Sequence, residues 1–434
     1  MKLLTENYIT RGFWGDEAWT ALISQRSIPE MLRVTGEDFH PPMYYLLVHF
    51  WGSMFGFSEL AIRSLSFIFF AATPLMTYFL SGFLFKEKSS RLLTSALVTI
   101  SPILFTYAFE SRAYAILTFL SVATSFLFWK SRTAKTWKLP LAYMLLSAFT
   151  VYVHYYAWFI LAAHGVYALL FEWKTIKKIW WVGVGVILIQ LPWVPVLFSQ
   201  VNSVSNSYWI GAMNARTHLE FFYRVAAGDI GITLQITTGR VIALIVAVSL
   251  VARFWQRKTT PFYRFLLLWL VVPTLIPTLI SFFVPVFFYR YLIFSSVPLL
   301  LLTVDGLRTL PKFVGVGATL VVIALYLSLT WTRFVQYPHT MRQELATIYE
   351  TKQPGEGEIY TVLPSFAEVM YYAGPTEKII VTPEGLIQFS GKSLLDSFVR
   401  TGEVTIAEPP TDAEYWYLEP GPKSRLVTPA TDSK

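Results

Sequence analysis

The chain contains no cysteine. Disulfides, Cys-ligated zinc and thiol nucleophiles are therefore excluded. Charge is also scarce. Only 14% of the residues are Asp, Glu, Lys or Arg, against about 25% in an ordinary soluble chain. The first 15 residues lack the apolar core of a secretory signal peptide. What is abundant is apolar surface: 54% of the residues are hydrophobic and 17% aromatic, with a mean hydropathy of +0.50. This balance, with repeated long apolar runs, predicts a mainly α, polytopic transmembrane helix bundle. The net charge of +8 does not point to nucleic acid, because Lys and Arg cluster in short loops between the runs.

Ten runs have a length near the ~20 residues that cross a bilayer, or somewhat less. They lie at 59–85, 91–108, 112–130, 139–153, 156–171, 178–199, 237–255, 262–284, 288–306 and 313–332. One helix over 139–171 would overshoot a bilayer by half, so two short helices joined at His154 are expected. The stretch "PPMYYLLVHFWGSMF" (41–55) is apolar but short, and reads as a juxtamembrane or half-buried helix. Basic loops at 86–91, 130–138, 172–178, 253–258 and 307–312 fall at every second turn of the chain. The positive-inside bias places all five in the cytoplasm. Residues 1–40, the Glu110 and His154 turns, loop 200–236, the Arg290 turn and the tail after 332 then face the extracytoplasmic side of the plasma membrane. Nothing upstream would carry residues 1–40 across. Either a first transmembrane helix is missing, or a short N-terminal tail crosses without a signal.

Three regions follow. Residues 1–58 form an extracytoplasmic first loop with an acidic motif and a juxtamembrane helix. Residues 59–332 are the bundle. Residues 333–434 turn polar and acidic with Pro/Gly punctuation, and alternate predicted helices ("MRQELATIYE", "SFAEVMYYA", "SLLDSFVR") with predicted strands ("GEIYTVL", "EKIIVT", "EVTIAE", "AEYWYLE"). The alternation predicts a small C-terminal α/β domain, with its last dozen residues disordered.

Five groups can carry chemistry. Asp16-Glu17 can serve as a general base or ligate a divalent ion, although a solvated turn is the usual fate of such a pair. His40, in "HPPMYY", can donate to a phosphate or bind metal, or can belong only to a capped helix start. Glu110 and Arg112, in "FESRAY", sit in a short turn between apolar helices. A buried acid there needs a partner, and an Arg can also hold a phosphate. "HYY" (154–156) adds His154 between two short helices. Arg290, in "FFYRYL", is a cation on the side where the charge bias disfavours one, so it calls for an anionic partner such as a lipid phosphate. Tyr44, Tyr114 and Tyr155 beside these groups are candidate cavity-lining residues. "GLIQFSGKS" (385–393) has one residue too many between its glycines for a phosphate loop.

The acid pair, "HPPMYYLLVHFWGSMFGFSELAIRSLS" and "SPILFTYAFESRAYA" together resemble the GT-C superfamily of membrane glycosyltransferases. The likeness is to the branch of protein O-mannosyltransferases and aminoarabinose transferases. It runs to about residue 172, with support from "YRYLIFSSVPLLLL" near 289–302. The resemblance implies an inverting enzyme that takes a sugar from a polyprenyl-phosphate donor on the extracytoplasmic side, without a nucleotide sugar. It places the first-loop acid on Asp16, with Glu17 beside it, and the second-loop acid on Glu110. Arg112, Arg290, His40 and His154 are then the candidate donor-phosphate ligands. No cofactor is required, though a divalent ion shared by Asp16 and Glu110 would fit. The partners implied are the donor, membrane lipid and an acceptor that is protein, glycolipid or polysaccharide. The alternative is a transporter or flippase of lipid-linked sugars.

Overall fold

The computed structural model describes residues 7–206, 210–211, 213–228, 233–256, 259–352, 358–373, 377–384 and 391–428. Two short helices, α1 (Gly15–Ser24) and α2 (Ile28–Gly36), precede α3 (Met43–Phe55). Helix α3 follows Pro41-Pro42 and stops at Gly56, whose φ of 88° an L side chain rarely adopts. It is the helix expected from 41–55.

The long apolar helices begin with α4 (Glu59–Ser81). Next, α5 (Lys88–Thr99) and α6 (Pro102–Ala108) make one run bent by 54°. Pro102 has no N–H to continue the α5 ladder, and its ring suits the first turn of a new helix. The run continues with α7 (Tyr114–Ser131), α8 (Lys138–Val153), α9 (Ala157–Phe171), α10 (Trp173–Gln190), α11 (Val194–Asn206) and α12 (Ala215–Ala227). Then come α13 (Thr233–Trp255), α14 (Pro261–Ile280), α15 (Ser296–Leu307) and α16 (Lys312–Val335). A 3₁₀ stretch, Tyr289–Ser295, leads into α15.

Among the described residues seven helices are long and apolar enough to cross a membrane, or eight with the bent pair as one span. Helices α8 and α9 are shorter apolar helices. These ten elements are the ten predicted runs, and His154 ends α8 as expected. Exposed side chains such as Leu75, Leu279, Phe313 and Leu320 stud their surfaces. Water would not tolerate so much contiguous apolar area, and a bilayer covers it.

The chain folds as two compact units. The helical unit comprises Ser64–Val194 and Ile210–Val335. Its most enclosed span is Tyr289–Leu307. Gly306 of α15 lies so close to α13 that a Cβ there would collide with the Ser249 carbonyl oxygen. Small residues allow this backbone approach where no hydrophobic force drives helices together. Ion pairs close the helix ends: Arg253 on Asp305 at 2.5 Å, and Arg132 on Glu172 at 2.6 Å.

The second unit lies within Met1–Arg63, Pro195–Trp209 and Gln336–Lys434. Its C-terminal elements are α17 (Met341–Thr351), β1 (Glu358–Thr361), α18 (Leu363–Tyr372), β2 (Ile379–Val381), α19 (Lys392–Arg400), β3 (Thr405–Ile406), β4 (Tyr415–Glu419) and β5 (Lys423–Val427). The sheet order is β3-β2-β1-β4-β5. The first four strands are parallel, with Ile359 opposite Ile379 and Trp416. Parallel neighbours need long crossovers, which α18 and α19 supply. Met341, Leu345, Ile359, Val369 and Leu418 form one core layer, and Tyr360, Ile380 and Tyr417 another. One expectation needs correction. The last dozen residues were expected to be disordered, but they begin with β5, which pairs antiparallel with β4. Unmet hydrogen bonds along the β4 edge make that pairing favourable. Residues 429–434 and most of "GLIQFSGKS" lie outside the described residues.

Candidate functional site

In the second unit, the acid pair occupies the first turn of α1, where the helix dipole favours negative charge. The two acids have different surroundings. Glu17 is fully buried and receives both Arg63 Nε (2.8 Å) and Nη2 (2.6 Å), with Arg11 Nη2 3.8 Å away. Arg63 also donates to the carbonyls of Ile9 (2.9 Å), Arg11 (2.6 Å) and Gly12 (3.2 Å). The guanidinium therefore ties the loop before α1 to α4. Asp16 is the half-exposed member of the pair. Pairing with a buried Arg makes Glu17 a fixed, desolvated charge, whereas Asp16 keeps access to solvent.

A third acid joins them. Glu368 of α18 is buried beside the first turn of α1, near the Gly15 backbone N–H. Burial, then the negative charges of Asp16 and Glu17, push its carboxyl up to about 8, opposed by that N–H. Neighbouring Tyr372 accepts the Phe13 N–H at 2.5 Å and donates to Glu59 at 2.8 Å. Burial pushes its hydroxyl up as well. His40 Nδ1 lies 3.0 Å from Asp38 Oδ2, and Gln200 donates to the His40 carbonyl at 3.2 Å. Tyr44 is buried, edge-on to Tyr45 at 5.7 Å.

In the helical unit, Glu110 and Arg112 are buried in the turn between α6 and α7, where Ser66 donates to the Arg112 carbonyl at 3.5 Å. Tyr114 starts α7. Its ring lies 4.9 Å from Tyr107 and 6.3 Å from both His154 and Tyr291. His154 in turn lies 5.4 Å from Tyr291, and Tyr156 lies 5.1 Å from it. Tyr155 accepts a hydrogen bond from Trp193 at 2.7 Å. Arg290 stands over Phe288 at 4.6 Å, in the same 3₁₀ entry that carries Tyr291. The Glu110, His154 and Arg290 turns, far apart in sequence, are thus joined by one cluster of aromatic rings.

Several of these residues were not singled out from the sequence. Arg63 carried a signal, since an Arg within an apolar run requires an acid. Glu368 carried a weaker one, a single acid inside "SFAEVMYYA". Tyr291 and Tyr156 carried none, because aromatics are plentiful in any membrane protein. An apolar cavity of about 490 Å³ between α8, α9 and α10 is lined by Tyr143, Trp158, His164 and Trp180, and by none of the predicted site residues. Its His164 is satisfied by Tyr143 (2.8 Å) and Ser125 (3.0 Å), as a core histidine is. Among the described residues no three His, Asp or Glu side chains converge as metal ligands do.

Residues 39–198 match the family model described as Dolichyl-phosphate-mannose-protein mannosyltransferase. The match contains His40, Tyr44, Glu110, Arg112, Tyr114, His154 and Tyr155, while Asp16, Glu17 and Arg290 fall outside it. No curated protein sequence matches the chain. Among solved structures, apo ArnT from Cupriavidus metallidurans is similar with a TM-score of 0.60 at 12% identity, over 95% of this chain and 90% of that one. The same protein bound to undecaprenyl phosphate gives 0.54 at 11% identity, with the same coverage. The Archaeoglobus fulgidus oligosaccharyltransferase, in complex with Zn and sulfate, gives 0.53 at 14% identity, over 84% of this chain and 58% of that one. At these identities the likeness is one of fold.

Proposed function

We propose that this chain is a membrane glycosyltransferase of the GT-C superfamily, similar to the protein O-mannosyltransferase and aminoarabinose transferase branch. It moves a hexose or pentose from a polyprenyl-phosphate donor to an acceptor hydroxyl, with inversion, on the extracytoplasmic face of the plasma membrane. The observation that carries the reading is the family match over 39–198, which takes in the Glu110–Arg112 and His154 turns. The bound undecaprenyl phosphate of the similar ArnT structure supports the donor class. The alternation of basic loops supports the sidedness.

The chemistry is assigned unit by unit. In the second unit, Asp16 accepts the proton of the acceptor hydroxyl as its oxygen attacks the anomeric carbon. The bond from that carbon to the phosphate oxygen breaks, and its electron pair leaves with the phosphate. In the helical unit, Arg112 and Arg290 meet the growing phosphate charge, and His154 donates to it. His40 is a further donor. Glu110 orients Arg112, and the Tyr114 and Tyr155 rings line the sugar's path, as Tyr44 does in the second unit. Glu17 acts by fixing α1 through Arg63. The acceptor is a protein, glycolipid or polysaccharide.

The test uses membranes holding wild type or Asp16→Asn, a panel of radiolabelled polyprenyl-phosphate sugars, each acceptor class, and a chelator arm. Transfer that is lost in Asp16→Asn establishes the class and names the donor, and the chelator arm decides metal dependence. Absence of transfer from every donor by a folded wild type would favour a transporter of lipid-linked sugars.

A further inference from the structure

The apolar cavity between α8, α9 and α10 takes no part in the chemistry assigned above. Two glycines open it. Gly165 of α9 and Gly183 of α10 both line it, and a Cβ on either would meet nothing within 4 Å. In membrane helices small residues usually serve close packing. Gly185 does so two residues further on, where a Cβ would collide with Met144 of α8. Gly165 and Gly183 instead leave a slot. We propose that this slot takes an acyl chain of an anionic phospholipid, whose phosphate is held by Lys174 and Lys177. The inference does not depend on the transfer reaction.

Length, lining and charge agree. Along α9 the lining runs from Trp158 to Leu169, a rise of about 17 Å. One leaflet of hydrocarbon is about 15 Å deep. The walls offer mainly hydrocarbon, from residues such as Leu161, Ile176 and Val186. Of the polar lining residues, Tyr143 and His164 bond each other at 2.8 Å, and Ser147 is fully buried. Such a slot suits a hydrocarbon chain better than water. The headgroup end is set by α10. Its backbone leaves helical geometry at Ile179 (φ −120°, ψ 17°), which separates Trp173–Lys178 from the apolar span that follows. Trp173 and Trp180 are exposed on either side of the break, as tryptophans are at a bilayer interface. Lys174 and Lys177 are exposed on the same turns, with Lys177 next to the lining residue Ile176. The charged residues flanking them are already partnered: Glu172 takes Arg132 at 2.6 Å, and Lys178 donates to the Ala134 carbonyl. Among the described residues Lys174 and Lys177 have no such partner. Two cations at the mouth of an apolar slot match a phosphate and its chain, as basic pockets between membrane helices match lipid headgroups. The His154 turn precedes α9, whereas the lysines follow it. A donor phosphate held at His154 is therefore not the one these lysines would hold.

The test is native mass spectrometry of the full-length chain, delipidated in detergent and titrated with phosphatidylglycerol or with phosphatidylcholine of the same acyl chains. Wild type is compared with the double variant Lys174→Gln/Lys177→Gln, with Gly183→Leu and Gly183→Ala, and with Gly317→Leu. Gly317 also meets nothing within 4 Å, but it lies on α16 outside the slot. The first phosphatidylglycerol should bind wild type about 25-fold more tightly than phosphatidylcholine, the order that two basic residues give at a charged surface. The lysine double variant should lose that preference and bind phosphatidylcholine as wild type does. Gly183→Leu fills the slot, and should lose at least about tenfold in affinity for both lipids, the equivalent of a lost side-chain-sized contact. Gly183→Ala should lose less, and Gly317→Leu should match wild type. Should Gly183→Leu not fold, Gly183→Ala and the exposed lysines decide. Equal affinity of wild type for the two lipids, a lysine variant that keeps the preference, or a Gly183→Leu that binds as wild type would overturn the proposal. A wild-type dimer that Gly183→Leu turns into a monomer would also overturn it and assign the slot to a second copy. Displacement of bound phosphatidylglycerol by equimolar polyprenyl phosphate would overturn it in favour of the donor.

Discussion

Adjacent acids in one helical turn can have opposite fates, and burial decides which. Glu17 is fully buried with both oxygens on Arg63, while Asp16 stays half-exposed one residue earlier. Removing one partner of a buried ion pair leaves an uncompensated charge and costs about 3–5 kcal/mol. Glu17→Ala or Arg63→Ala should therefore lower thermal stability in nanodiscs by that order and lose activity through unfolding. Asp16→Asn should melt as wild type does yet lose about 10²–10⁴-fold in transfer rate. Equal stability across the three variants would undo this division of roles. Glu368 makes a pH prediction. Its carboxyl titrates at about 8 when folded, against an ordinary 4.5. Between those values the folded chain holds a proton that the unfolded chain has released, so stability falls as pH rises across that window and levels off above it. The slope is at most about 1.4 kcal/mol per pH unit. Glu368→Gln, which cannot titrate, should remove it, as melting curves from pH 5 to 9 would show. The histidine that caps α8 and the one inside α9 teach the same lesson. His154 and His164 look alike in the sequence, but only His154 sits among the rings that join the three candidate turns.

At the scale of elements, periodicity and length were reliable guides. The ten apolar runs are ten helical elements, with a break at His154. The tail's predicted helices and strands form in order, from α17 to β4. Details that depend on packing were less legible. The bend between α5 and α6 follows from Pro102, but the 3₁₀ entry at Tyr289–Ser295 and the strand β5 have no local marker. Helix contact distances were also hidden. Gly306 lets α15 approach α13, whereas a Cβ at Gly317 of α16 meets nothing within 4 Å. Gly306→Leu should therefore overpack the interface and cost about 1–3 kcal/mol, and Gly317→Leu should cost little. Comparable melting temperatures for the two would show that the α13–α15 approach contributes nothing to stability.

At the scale of the whole molecule, the C-terminal residues share a compact unit with the N-terminal loop. Arg26 pairs with Glu403 at 2.7 Å, Arg400 with Glu30 at 3.5 Å, and a Cβ on Gly12 would meet Thr340 Oγ1 at 2.6 Å. Deleting residues 336–434 should thus strip partners from α1 and α2 and destroy donor turnover in every acceptor assay. A truncated chain that still transfers sugar, and changes only its acceptor, would show instead that the tail is a recognition module. The sequence alone determined the membrane class, the number of runs, the α/β tail and the candidate turns, because hydrophobicity, length and alternation are properties of consecutive residues. The tertiary structure alone decided which acid is buried, that Arg63 reaches back 46 residues to Glu17, and that Glu368 is buried near the acids of α1 from the far end of the chain. Those outcomes turn on distance and desolvation between segments, which exist only once the chain has folded.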